Sequence, residues 1–252
     1  MENKISIQYL YNSGFTIEFN DYFIIIDYFE GDLVLPENKK IVFIVSHAHS
    51  DHYNPAIFTY PGSDNAYYMI SSDVEPMIVK DNIIMLSDTP KKTEYLKKLY
   101  KDGYVYRANS NENFDLAGIS FNTFASTDAG ISVLFELYGV IFFHSGDLNA
   151  WKWKNDKRSI QAKEVFEYKE ILNKIKNYKI DIGFGVVDAR LEENAFVGPE
   201  LYLKELKPQI FIPMHFRENY KITSDFKKKY SSQTDAKIQT ILDRGDKIII
   251  SI

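Results

Sequence analysis

The chain contains no cysteine, which excludes disulfide bridges and thiolate ligands and leaves nitrogen and oxygen as the only donors for a bound metal ion. Long apolar runs are missing as well. Stretches such as Phe23–Ile26 and Ile41–Val45 fall far short of the roughly 20 residues that span a bilayer. Met1-Glu2-Asn3-Lys4 leads straight into an alternating pattern, with no charged n-region, apolar h-region or cleavage site. A soluble cytoplasmic protein without a membrane partner is expected. Basic charge is not in excess either: 30 Lys and Arg against 35 Asp and Glu give a net charge of -5, which argues against a general nucleic-acid surface. Gly-x-Ser-x-Gly does not occur, so no serine-nucleophile motif is recognisable. No stretch rich in Gly, Pro or Ser marks a linker, and a single domain over residues 1–252 is expected.

What is present begins with short strands joined by tight turns at Ile5–Tyr9, Phe15–Phe19, Tyr22–Ile26 and Ile41–Val45, which read as an antiparallel meander with a hairpin turn at Asn20-Asp21. Further strands are expected at 66–70, 82–86, 104–107, 119–124, 131–137 and 140–144, with short helices at 55–60 and 74–79 and an ambiguous helical insertion at 91–101. Apolar residues Val165, Tyr168, Ile171, Leu172 and Ile175 recur at helical spacing and predict a helix over 162–178 that covers a sheet. Beyond it, strands at 180–187, 210–213, 238–242 and 247–252 alternate with helices at 199–206 and 224–230. The pattern is α+β: two mostly antiparallel or mixed sheets facing each other, with helices outside.

The chemistry concentrates in the histidines. Directly after the apolar run Ile41–Val45 comes Ser46-His47-Ala48-His49-Ser50-Asp51-His52, four possible metal ligands within six residues. Imidazole and carboxylate suit zinc and similar divalent ions, and a buried strand followed by a tight loop supplies the stiffness that converging ligands need. His47 and His49 can point the same way if the chain is extended, with Asp51 and His52 around the bend. That spacing serves two adjacent ions better than one.

The pattern H-x-H-x-D-H after a core strand resembles the hallmark of the metallo-β-lactamase superfamily. The resemblance runs along the chain, because Phe143-His144-Ser145-Gly146-Asp147 follows a hairpin and Pro213-Met214-His215 follows a late strand. It implies a four-layer αβ/βα sandwich and two divalent ions, expected to be Zn2+ with Mn2+ or Fe2+ as alternatives. By the same resemblance His47 and His49 hold the first ion and Asp51, His52 and His215 the second. Asp147 bridges them, and Asp51 and Asp147 are the residues through which catalysis is expected to run. The family's third histidine of the first site is missing; Ala125-Ser126-Thr127-Asp128-Ala129-Gly130 stands there, and Asp128 is the expected substitute, with water placed by Ser126 or Thr127 as the alternative.

Other polar residues carry two readings each. Asp27, at the end of Phe23–Ile26, either orients a ligand imidazole or merely ends a strand. Arg190 either clamps an anionic substrate or pairs with Asp188. Trp151 and Trp153 either wall a pocket or cover a core edge, and Arg217 and Tyr220 are similarly ambiguous. His144 reads as a core histidine. The resemblance implies a hydroxide shared by two ions acting on a small ester, lactone or phosphoester, near the ascorbate-phosphate lactonase branch. A phosphodiesterase or ribonuclease, a di-iron redox protein and a metal-binding protein without turnover are the alternatives. A small-molecule substrate is expected as partner, nucleic acid is not, and the sequence is silent on oligomeric state.

Overall fold

In the computed structural model, residues 4–74, 98–99 and 101–251 are described. The expected strand at 82–86 and most of the helices expected at 74–79 and 91–101 lie outside them. The contacts divide the chain into two compact units, one of Met1–Asn109, Asp115–Gly118 and Arg244–Ile252, the other of Ser110–Phe114 and Ile119–Asp243.

The first unit carries β1 (Lys4–Tyr11), β2 (Gly14–Phe19), β3 (Tyr22–Ile26), β4 (Lys40–Val45), β5 (Tyr67–Ser71), β6 (Val105–Ala108) and the last strand, β14 (Lys247–Ser251). They form one sheet in the order β14-β1-β2-β3-β4-β5-β6. The expected meander holds only for β1–β3. β4 lies parallel to β3, with Ile26 opposite Ile44, and β5 and β6 continue the parallel half. The sequence signals this change: β3 and β4 are unbroken apolar runs, and parallel strands are buried on both faces. Phe43 and Val45 join Phe23, Ile25, Tyr68 and Ile70 in one core beneath Tyr53, Ile57 and Phe58, while Ile24, Val42 and Ile44 on the opposite face are buried too. The helix expected at 55–60 is a 3-10 turn over Pro55–Thr59.

The second unit carries β8 (Ile119–Ala125), β9 (Ile131–Leu137), β10 (Val140–His144), β11 (Ile182–Val186), β12 (Ile210–Met214) and β13 (Lys237–Ile238), in a sheet ordered β13-β12-β11-β10-β9-β8-β7. The short edge strand β7 (Asn113–Leu116), which the sequence did not announce, links the units in sequence. Tyr138 and Gly139 join β9 to β10 with φ of 52° and 79°, the two positive angles of a type I′ hairpin turn. Again one half is antiparallel, β8-β9-β10, and the other parallel, β10-β11-β12-β13. Helices α1 (Arg158–Ile175), α2 (Val197–Leu206) and α3 (Lys221–Tyr230) each start earlier than the periodicity suggests; in α1 none of the first-turn residues is buried. The buried face of α1 is Tyr168, Ile171, Leu172 and Ile175, as its spacing requires. The strand expected at 238–242 shrinks to β13, and Leu242 stands 66 % exposed.

β11 reads Ile-Gly-Phe-Gly-Val because two aromatic rings lie against it. A Cβ at Gly185 would come within 2.5 Å of the Phe211 ring, and one at Gly183 would overlap the Tyr202 hydroxyl. That hydroxyl is buried and has no hydrogen-bond partner among the described residues. Gly183→Ala is therefore expected to cost about 1–3 kcal/mol by overpacking. Adding Tyr202→Phe, which deletes the obstructing oxygen, should restore most of it in urea unfolding; an unaffected Gly183→Ala protein would contradict this packing.

Candidate metal centre

The parallel halves of the two sheets determine where the polar residues fall. Ligand sites in sheets of this kind lie beyond the carboxyl ends of the strands, and in the first unit Asp27 follows β3 while His47–His52 follow β4. In the second, Asp147 lies just past β10, Asp188 past β11 and His215 directly after β12.

In the first unit, the register that sets Ile26 opposite Ile44 continues as the Asp27 N–H donates to the Ile44 carbonyl at 2.9 Å, which lays Asp27 alongside Ser46. Asp27 is fully buried with φ of 45°, a left-handed conformation that costs an aspartate about 1–3 kcal/mol. Its carboxylate accepts three hydrogen bonds: from the Ser46 N–H at 2.8 Å, the Ser46 hydroxyl at 2.6 Å and His52 Nδ1 at 2.8 Å. Hydrogen bonds to a charged group contribute about 1.5–3 kcal/mol each, so the three outweigh the strain.

These bonds also place the protons. Ser46 gives its single hydroxyl proton to Asp27, so across the 2.9 Å contact to His47 Nδ1 it can only accept. His47 and His52 thus both carry their proton on Nδ1, which leaves the lone pair on Nε2. One carboxylate orients two imidazoles, one directly and one through a serine. The rings of His47 and His49 lie 4.6 Å apart and those of His47 and His52 4.0 Å, and donor atoms of Asp27, His47 and His52 fall within 4.8 Å of one another. The loop is pinned by Asp73, whose carboxylate accepts from the Ala48 N–H at 3.2 Å, and by a turn in which the His52 and Tyr53 N–H groups donate to the His49 carbonyl. Asp51 accepts from Asn12 Nδ2 at 3.1 Å.

The second unit repeats the device. Val186 pairs with Met214 in the β11–β12 register, which brings Asp188 beside His215, and His215 Nδ1 lies 3.0 Å from Asp188 Oδ2. His215 too has a left-handed backbone, at φ 64°. Its Nε2 lies 3.3 Å from Asp147 Oδ1, a separation at which both atoms can serve one ion. Trp151 closes over this pair, with its ring 5.6 Å from that of His215 and its indole N–H donating to the Asp147 carbonyl at 2.9 Å, while Trp153 stacks parallel to it, 37 % exposed. Of the two readings of Arg190, pairing describes the geometry: Nε and Nη2 both bond the Asp188 carboxylate, at 2.9 and 2.5 Å. His144 is a core residue, buried against Phe184, and its Nδ1 accepts from the Gly146 N–H at 3.1 Å and so shapes the turn into Asp147.

Asp128, the expected substitute for a missing histidine, lies apart from these groups. It is exposed, and among the described residues it belongs to no group of candidate ligands. The cause is local. Ser126 Oγ accepts from the Asp128 N–H at 3.2 Å, and the Thr127 hydroxyl donates to the Asn149 carbonyl at 2.6 Å while accepting the Asn149 N–H at 3.0 Å. Thr127 is thereby the residue turned inward, as a latch, and Asp128 points out. There its charge adds to the burial and the Glu167 charge that raise the Glu164 carboxyl pKa.

The donor set suits a divalent ion: buried imidazoles with committed Nδ1 atoms beside carboxylates, and no thiolate. Asn12, Ser46 and Asp73 had not stood out in the sequence. For Ser46 a signal existed, since a hydroxyl directly before a ligand histidine can reach its Nδ1; for Asn12 and Asp73 only the fold makes the link.

No protein family and no curated protein matches the chain in sequence. Solved structures do match in shape. Igni18, a metallo hydrolase from the archaeon Ignicoccus hospitalis, superposes with a TM-score of 0.64 at 16% identity, over 99% of both chains. The metallo-β-lactamase fold protein YhfI from Bacillus subtilis gives 0.56 at 10% identity, over 98% of this chain and 99% of its own. CmlA, a diiron β-hydroxylase from Streptomyces venezuelae, gives 0.58 at 9% identity, and there this chain matches only 55% of the longer protein. The chain has the metallo-β-lactamase fold. Among the described residues no helix is long and apolar enough to cross a membrane.

Burial alone would raise the Asp188 pKa, but the hydrogen bonds from His215 and Arg190 prevail and lower it to about 2. A pKa depressed on folding stabilises above the unfolded value near 3.8 and is lost as pH falls toward 2. The metal-free protein should accordingly lose about 2 kcal/mol of unfolding free energy between pH 4 and pH 2. Asp188→Asn should lack that component, and identical acid titrations of the two proteins would refute the assignment.

Proposed function

We propose that this chain is a metal-dependent hydrolase of a small ester, lactone or phosphoester, with His47 and His49 for one divalent ion, Asp51, His52 and His215 for a second, and Asp147 for both. The observation that carries the reading is that buried carboxylates, Asp27 and Asp188, orient His52 and His215 directly, and Asp27 orients His47 through Ser46. Nothing in the packing of an ordinary core calls for two such devices. Zinc fits the donors, as do manganese and iron. Two such ions, when bound, supply a water acidic enough to react at neutral pH and polarise the bond under attack.

The chain's own residues supply the rest. Asp27, Ser46 and Asp188 hold the imidazole tautomers, Asp73 fixes the loop backbone, and Trp151 shields the Asp147–His215 pair from water. A lactone or carboxylic ester is favoured over a phosphodiester or ribonucleic acid, because the Arg190 guanidinium, a candidate clamp for an anionic substrate, is engaged by Asp188. The name metallo hydrolase borne by Igni18 supports metal-dependent hydrolysis, and the resemblance of the sequence to the lactonase branch is what favours a lactone.

The test is metal content together with turnover on a panel of lactones, esters and phosphoesters. Two ions per chain are expected, and His47→Ala and Asp147→Ala should lose more activity than the roughly 10–100-fold that removing an orienting partner costs. Asp128→Ala should keep both ions and most of its activity. One ion per chain and no turnover would leave a metal-binding protein and overturn the proposal.

A further inference from the structure

Turn tips normally stand in water, yet the tip of the β1–β2 hairpin does not: Asn12 and Ser13 are both 0 % exposed. Three features draw it inward. The Asn12 N–H donates to the Tyr9 hydroxyl at 2.8 Å. Gly14 lets the chain lie against Asp27, where a Cβ would come within 3.0 Å of the Asp27 carbonyl oxygen. The Arg244 guanidinium sits 3.9 Å over the Tyr11 ring and bonds Glu30, holding the strand that enters the turn. Asn12 itself has φ of 53°, a region that glycine, asparagine and aspartate tolerate best.

The side chain has one allowed orientation. A carboxylate only accepts, so the amide must present Nδ2 to Asp51, at 3.1 Å. That places Oδ1 on the opposite side of the amide, where it is buried and has no hydrogen-bond partner among the described residues. An acceptor left in this state is costly unless a ligand brings the donor. Had the turn been selected for hairpin formation alone, glycine would serve at this φ without burying an amide.

We propose that Asn12 is a positioning residue that fixes the Asp51 carboxylate for the second ion, with its Oδ1 completed by a donor that arrives when the site fills. The inference rests on the proposed function and concerns a residue outside the ligand set. The test uses Asn12→Gly in the full chain, which keeps the left-handed turn and its bond to Tyr9 while deleting the amide. Zinc affinities of both sites are measured by competition with a chromogenic chelator, and melting temperatures on the metal-free protein. The expected result is a metal-free melting temperature within a few degrees of the parent and a loss of about 10–100-fold in the affinity of one zinc ion, the other unchanged. Asn12→Ala, which also lacks the amide, should show the same selective loss. Parental affinity at both sites would overturn the inference, and a lower melting temperature with parental affinities would assign Asn12 a structural role only. A parent chain that binds fewer than two zinc ions would instead sink the function proposed above, and this inference with it.

Discussion

The buried Asp27 carboxylate is the interaction on which the first unit's chemistry depends. It is a charge with no exposure, held in a left-handed backbone, and neither condition persists without compensation. The compensation is the set of three short hydrogen bonds from Ser46 and His52, and their by-product is the orientation of two imidazoles. Because Ser46 passes its proton to Asp27, the tautomer of His47 is determined by a carboxylate it does not touch. Stability and site geometry are the same bonds viewed from two ends.

The second unit reaches a similar result with different parts. Asp188 is the carboxylate and His215 the imidazole, and the charged Arg190 guanidinium donates here where the neutral Ser46 N–H and O–H donate to Asp27. Left-handed backbone recurs at His215, as it does at Asn12 and Asp27. Such conformations collect where the surrounding structure over-determines them and where function needs a side chain aimed off the strand direction. For Asp27 and His215 the aim is set by where a parallel strand ends.

Much of this was legible in the residues. The unbroken apolar runs of β3 and β4, the I′ turn at Tyr138-Gly139 and the apolar stripe of α1 each state their structure locally, and H-x-H-x-D-H sets possible ligands at fixed spacing. What could not be read depended on pairings between distant segments. Parallel pairing of β3 with β4 leaves no mark beyond the absence of alternation, and β14 returns to β1 from the far end of the chain. Asn12 and Asp51 are separated by 39 residues, and Asp188 and His215 by 27. Asp128 stood out by residue type alone, whereas its direction is decided by neighbours, Thr127 being the one that latches to Asn149.

Metal binding of the proposed kind depends on the direction in which three imidazoles face. Anomalous diffraction at the zinc, manganese and iron edges from crystals grown with metal reports this directly, since it gives the number of ions, their element and the nitrogen that binds each. Two peaks per chain are expected, bound through Nε2 of His47, His52 and His215, with Asp128 apart from both. Coordination through Nδ1 of these histidines, or a peak ligated by Asp128, would contradict the proposed centre.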